Sequence, residues 1–381
     1  MLRLNRRDPR PADSQENTTQ STKVTKILLF MFPSCASWPS RLRTSFAASL
    51  IAITTSTSLF AADIQPGNCA RAAAYSDKNR GFSVLVMQNG KTVFEHYAKG
   101  GGADMRTKIF SGTKSFWGIA ALCAVRDGLI RLDDHVADTI TEWKSDSKKS
   151  QITIRQLLNQ TDGIEPAPHL HSESIRDRNA MAIQLPLVAS PGSAFAYGPS
   201  HLQIFNEILR RRLNGRSTIS YINETVLSPL GLASLDFKKD GRGNPLPASG
   251  FELSAPEWAR FGELVLGRGN YHGKQIVPSN LLSQALSGSS ANPSYGLTFW
   301  LNRQAPNARE IDYEKELDLK WQRAHWLGIC VCRAAPPDMV VALGSNYERL
   351  FIIPSMNTLI VRQGWSAKFS DAYFLRLVLG R

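Results

Sequence analysis

Apolar and polar positions first settle into a readable pattern at FSVLVMQNGKTVFEHYA, residues 82–98, where two runs rich in β-branched and aromatic side chains flank Asn89-Gly90. Asn-Gly tolerates the positive φ angles of a tight turn, so the stretch predicts a β-hairpin. A glycine-rich connector, KGGGAD, leads to a helix beginning near Ser111. From there to about residue 235 the pattern is mostly helical, with segments at 116–127, 154–158, 200–213 and 219–227 broken by SPGSAF and SPLGL. SAPEWARFGELVLGRG predicts another helix, with Ser254 as N-cap, Pro256 in the first turn, Glu257 at the capping-box position and Gly267 near its end. The last third returns to strand-like runs, DMVVALG, ERLFIIP and TLIVRQG, before a closing helix over 371–379. Strands at both ends with helices between them predict an α+β fold. One antiparallel β-sheet, flanked by helices, would be assembled from the two chain termini, and a mostly helical domain would be inserted over about 115–245.

The chain has 381 residues, 43% of them hydrophobic, enough to bury a sizeable core. Its formal charge is +13, of which residues 1–62 carry +5, from eight Lys/Arg against three acidic residues, and the remainder +8. The basic residues are scattered and form no stripe interleaved with aromatics, which argues against a nucleic-acid partner. Near the start, RLRTSFAASLIAITTSTSLFAAD places Arg41 and Arg43 before an apolar stretch at 46–60 and then Ala61-Ala62. That is the layout of a secretory signal peptide over about 41–62, so we expect a secreted or periplasmic mature domain, 63–381, after a 1–62 extension. The apolar run is too short and too rich in Thr and Ser to stay in a bilayer as an anchor. Residues before it are polar and unpatterned, and translation is expected to start at Met31. Beyond the leader remain Cys69, Cys123, Cys330 and Cys332, too few and too oddly spaced for a disulfide framework. One disulfide is left open, with no pairing readable. The CVC at 330–332 has His325 nearby but no second pair of ligands, so no metal is expected. Neither a cofactor nor an oligomeric state is indicated.

The chemistry concentrates in FSGTKSF, residues 110–116. Ser-x-x-Lys on a helix puts Ser111 and Lys114 on one face, close enough to meet. A serine hydroxyl is a poor nucleophile until a base removes its proton, and a lysine can do so only when neutral. The apolar surround of Phe110, Phe116 and Trp117 and the positive end of the helix dipole both disfavour the ammonium. The tetrapeptide alone is common: SDSK at 145–148 repeats it in a charged, solvated run where it would activate nothing.

A wider set of segments supplies context. FSGTKSF, DGLIRLDDHV, ITIRQLLNQTDGI, SPGSAFAYGPSHLQIFNEIL, VLSPLGL, ASGFELSAPEWARFG, YGLTFWL and ERLFIIPSMNTLIVRQG occur in the order and rough spacing seen in class C β-lactamases and the related penicillin-binding proteins and esterases. The chain resembles that family along nearly its whole mature length. The resemblance implies a sheet packed by helices, a mostly helical domain, and an active site between them. It implies that Ser111 is the acylated nucleophile, Lys114 its proton acceptor, and Tyr197 the tyrosine of the family's Tyr-x-Asn motif, which carries a proton to the leaving group. A phenol beside a lysine ammonium would have a depressed pKa and could itself be the base, so Lys114 and Tyr197 both stand as candidates. The oxyanion hole would use the backbone N–H groups of Ser111 and Ser345, with Gly344 letting the substrate approach the edge strand.

Two departures bear on substrate. The Asn of Tyr-x-Asn is Pro199, with Ser200 or His201 as the available substitutes. The Lys-Thr-Gly of the β-lactamases reads Ala342-Leu343-Gly344, so the cation that would pair with a β-lactam carboxylate is missing. Losing such a bond is worth roughly 1.5–3 kcal/mol. The expectation is a serine hydrolase acting on a small ester or amide. The alternatives are a non-catalytic binder of a cell-wall peptide or other ligand, a D-stereospecific peptidase, and a weak β-lactamase. His201 and His325 are further acid–base candidates, Asp162 is expected to cap a turn at Gly163, and Trp300, Trp321, Trp326 and Trp365 either wall a pocket or fill the core. Residues 303–335 depart most from the family and are expected to rim the cleft.

Overall fold

In a computed structural model of the chain, which describes residues 63–98, 100–233, 235–317, 323–365 and 368–381, Asn89 and Gly90 take φ angles of 53° and 73°. These left-handed values are what a tight hairpin turn demands, and they join β1 (Gly81–Gln88) to β2 (Lys91–Tyr97). The expected leader, the Met31 start and Trp321 lie outside the described residues.

Four more strands complete the sheet: β3 (Trp300–Leu301), β4 (Val340–Gly344), β5 (Glu348–Ile353) and β6 (Thr358–Gly364). Their order is β2-β1-β6-β5-β4-β3, and every pairing is antiparallel. β1 lies against β6, with Gln88 opposite Thr358 and Gly81 opposite Gly364, so one sheet is indeed built from the two ends of the chain. Both faces are covered. Leu85, Ala342, Leu350 and Val361 belong to one core, while Val86, Leu343, Phe351 and Ile360 belong to the other. Double burial explains why these strands read as continuous apolar runs and not as clean alternation.

Helices supply both covers. α1 (Pro66–Lys78) and the C-terminal helix (Asp371–Leu379) send Ala72, Ala73, Phe374 and Val378 into the second core. α2 (Thr113–Arg126) lies in the first core, and every residue from Thr113 to Ala124 is buried, which accounts for its nearly unbroken apolar sequence. Between α2 and β3 come α3 (Ile154–Leu158), α4 (Arg178–Gln184), α5 (Ser200–Arg212) and α6 (Thr218–Ile222). α7 (Ala255–Leu266) follows, opened by the Ser254–Glu257 capping box. The helix expected over 219–227 is split: after α6 the turn Asn223–Leu227 is π-helical, next to Pro229, which has no N–H to continue an α ladder. No described helix is long and apolar enough to cross a membrane. Cys69, Cys123, Cys330 and Cys332 are all buried and free.

Candidate active site

Phe110 carries a φ of 44°, a left-handed value that a bulky side chain adopts at a cost of roughly 1–3 kcal/mol. That kink delivers Ser111 into the 3₁₀ turn Phe110–Gly112, directly before α2. Lys114, the second residue of α2, then stands one turn on. Its Nζ lies 2.9 Å from Ser111 Oγ and 3.1 Å from the Ala248 carbonyl, to which it donates. The side chain is buried, and that burial alone pulls it from the ordinary 10.5 down to about 7. A neutral amine here has a lone pair for the serine proton and still an N–H for Ala248.

Tyr197 completes the group, with its ring face 4.6 Å below the lysine nitrogen. Burial pushes the phenol up to about 12, against the pull of a hydrogen bond with Ser111. Burial thus raises the phenol's pKa where the sequence reading allowed a depressed one, and of the two candidate bases Lys114 is the one whose pKa burial brings close to neutrality. Tyr197 rests on an aromatic cluster in which Phe195, Tyr295 and Trp300 lie within about 6 Å, centroid to centroid. Trp300 and Trp326 are buried core residues, whereas Trp365 is exposed.

Ser345 opens the turn Ser345–Tyr347 directly after β4. As the first residue of one short 3₁₀ turn and the second of another, Ser345 and Ser111 carry N–H groups without intrahelical acceptors. Both residues line a cleft with two arms. The broad arm, about 870 Å³, is bordered by Lys108, Phe110, Asp236, Lys239 and Glu252. The narrow arm, about 360 Å³, holds Lys114, Tyr197, Pro199, Glu314 and Leu343. Ser111, Ser345 and His171 border both.

The beta-lactamase family model matches residues 68–303, more than half of the chain. The chain belongs to the beta-lactamase family. Protein flp of Staphylococcus aureus is 28% identical over 190 residues, covering 45% of this chain and 38% of flp. The match thus spans well under half the length of that relative. A penicillin-binding protein homologue from Caulobacter crescentus is similar in structure, with a TM-score of 0.60, 16% identity and coverage of 83% of this chain and 97% of that one. EstCE1, a hydrolase with promiscuous acyltransferase activity, aligns at a TM-score of 0.61 and 15% identity over 82% of this chain and 96% of its own. The fold is therefore that of the family's serine hydrolases.

Against the family's motifs, two of the expected site residues are buried away from the cleft. Ala342, at the position of the β-lactamase lysine, is fully buried in the core that holds α2, and its neighbour Leu343 borders the narrow arm instead. Ser200, considered as a substitute for the missing Asn, is buried and donates to the Glu165 carbonyl at 2.6 Å. Gly344 is a glycine for a different reason: a Cβ there would come within 2.0 Å of the Ile109 carbonyl oxygen. That close approach is to the protein's own backbone just ahead of Ser111.

The histidines rearrange in the same way. His201 is buried with its Nδ1 2.7 Å from Asp162, outside both arms. Asp162 also accepts from the Ile164 N–H across Gly163, the turn read from the sequence. His325 pairs with Glu316. The histidine that does border the cleft is His171, which the sequence reading missed, at the end of the turn Pro168–His171. Its Nδ1 lies 3.0 Å from Ser249 Oγ. Burial, and then the charges of Lys114, Arg178 and Lys238, push it down to about 4. Ser145 and Lys148 are both exposed on the surface.

Proposed function

We propose that this protein is a serine hydrolase that cleaves small esters or amides through an acyl-enzyme on Ser111. The observation that carries the reading is the 2.9 Å contact between Ser111 Oγ and a buried lysine brought down to about 7. Neutral Lys114 takes the hydroxyl proton as Oγ attacks the substrate carbonyl, and the tetrahedral oxygen is held by the N–H groups of Ser111 and Ser345. Tyr197, whose raised pKa keeps it protonated, hands a proton to the leaving group and recovers one from the lysine. Water then attacks the acyl carbonyl by the same route in reverse, releasing the acid and restoring serine.

The buried Ala342 argues against efficient β-lactam hydrolysis, since β4 offers no cation to a carboxylate at that position. The signal-peptide layout at 41–62 supports export. The test uses p-nitrophenyl butanoate together with a fluorophosphonate probe. Wild-type protein and Ser145→Ala should turn over the ester and gain one probe adduct at Ser111. Ser111→Ala should gain none and lose at least about a thousand-fold in rate. An unlabelled wild type would point instead to a ligand-binding protein on the same fold.

A further inference from the structure

We infer that Glu314 forms an acidic subsite beside the leaving group, so that the preferred substrates are esters or amides whose departing alcohol or amine carries a positive charge. This rests on the hydrolase reading and deepens it. Glu314 sits in the short helix Tyr313–Glu316 and borders the narrow arm together with Ser111, Lys114 and Tyr197. Its orientation is fixed from behind. Oε1 accepts from the Tyr347 N–H at 2.5 Å and from Arg349 at 3.1 Å. Arg349 is fully buried, while the Glu314 side chain keeps 20% of its area exposed. Arg349 is further engaged by both carboxylate oxygens of Asp371. The cation thus lies behind the cleft wall with two carboxylates sharing it, and of these three groups Glu314 is the one that borders the narrow arm. Lys315, next in sequence, is paired with Asp312 at 2.8 Å.

The assignment to the leaving-group side follows from Tyr197. The phenol that protonates the departing atom borders the narrow arm and not the broad one, and Glu314 borders that same arm. A leaving group placed to receive the tyrosine proton therefore has the carboxylate within electrostatic reach. In a partly desolvated cleft an opposite charge there favours binding more than it would in water. Glu314 lies beyond the 68–303 stretch that the family model matches.

The probe pair is the butanoate ester of choline and its neutral carbon isostere, 3,3-dimethylbutyl butanoate. Wild type should favour the cationic ester by about ten-fold or more in kcat/KM. Glu314→Gln, which keeps an oxygen for Tyr347 and Arg349 but removes the charge, should collapse that ratio towards unity. A wild-type ratio near one, or a preference that survives in the variant, overturns the subsite. Should the variant melt early, inhibition of wild-type p-nitrophenyl butanoate turnover decides: choline must inhibit more strongly than 3,3-dimethylbutanol, and equal inhibition refutes the subsite. Turnover of the p-nitrophenyl ester that depends on Ser111 keeps the hydrolase reading standing in either case. Its absence would fell both.

Discussion

Burial is what sets the proton affinity of Lys114. The unfolded chain holds that proton up to about 10.5, while the folded protein releases it near 7. Between those values the unfolded state binds more protons, so stability rises with pH across that window, and the full penalty, roughly 3–5 kcal/mol, applies below it. Lys114→Met should therefore abolish turnover yet raise the melting temperature at pH 7, with the gain over wild type shrinking as the melt is repeated towards pH 10. Activity should follow the same deprotonation in the same direction. The kcat/KM for a neutral ester is expected to climb through about pH 7 as Lys114 becomes neutral. His171, already neutral above about 4, should add no second step, which a pH–rate profile of wild type against His171→Gln would check. Ser111 and Lys114 were legible because i and i+3 on a helix fix proximity by local geometry alone. The acidity of Tyr197 was not, because it is set first by burial, which only the tertiary fold creates. Ser200 and Ala342 were misjudged for a related reason: a motif match gives a place along the chain, and the direction of the side chain comes from the tertiary fold. Glu314 and His171 have no local signature, and only folding brings them to Ser111.

At the scale of elements, the catalytic turn and β4 are fitted to each other without slack. Ile109 is buried, its carbonyl oxygen lies where a Gly344 Cβ would be, and the adjacent Phe110 already holds its left-handed φ. Gly344→Ala must push β4 away from that turn. The expected result is a loss of about 1–3 kcal/mol in denaturant unfolding, together with a larger fall in kcat than in substrate binding, because the N–H groups of Ser111 and Ser345 move apart. A binding constant left intact beside a reduced kcat would separate this from general unfolding. The hairpin, α7 and the three C-terminal strands were readable since turn chemistry, capping residues and apolar runs are local. α1 and β3 were not. PGNCARAAAYSDK shows no strong apolar stripe and is held by its contacts with β1 and the C-terminal helix, and β3 is two residues long, too short to display any period.

Across the whole molecule, buried charge ties the sheet to the C-terminal helix and to the cleft rim. Arg349 on β5 bonds Asp371 at the start of the C-terminal helix, the Gly344 carbonyl at the end of β4, and Glu314 on the cleft rim. Arg349→Met would leave Asp371 buried and unpaired, at an expected cost of about 3–5 kcal/mol. Adding Asp371→Asn should recover part of that loss, measured as a double-mutant cycle in guanidinium. The α+β class and the sheet built from both chain ends could be read ahead of the structure because strands at the two ends must pair with something. The charged linkage could not, since its members lie on four separate segments. The seam between β1 and β6 has a temporal corollary. During synthesis residue 81 must wait for residue 364 before its edge is covered, so every helix and strand between them must leave the ribosome before this hydrogen-bonded ladder can zip. Nascent chains arrested short of the last strand should accordingly stay protease-sensitive throughout, however much of the helical middle has already emerged.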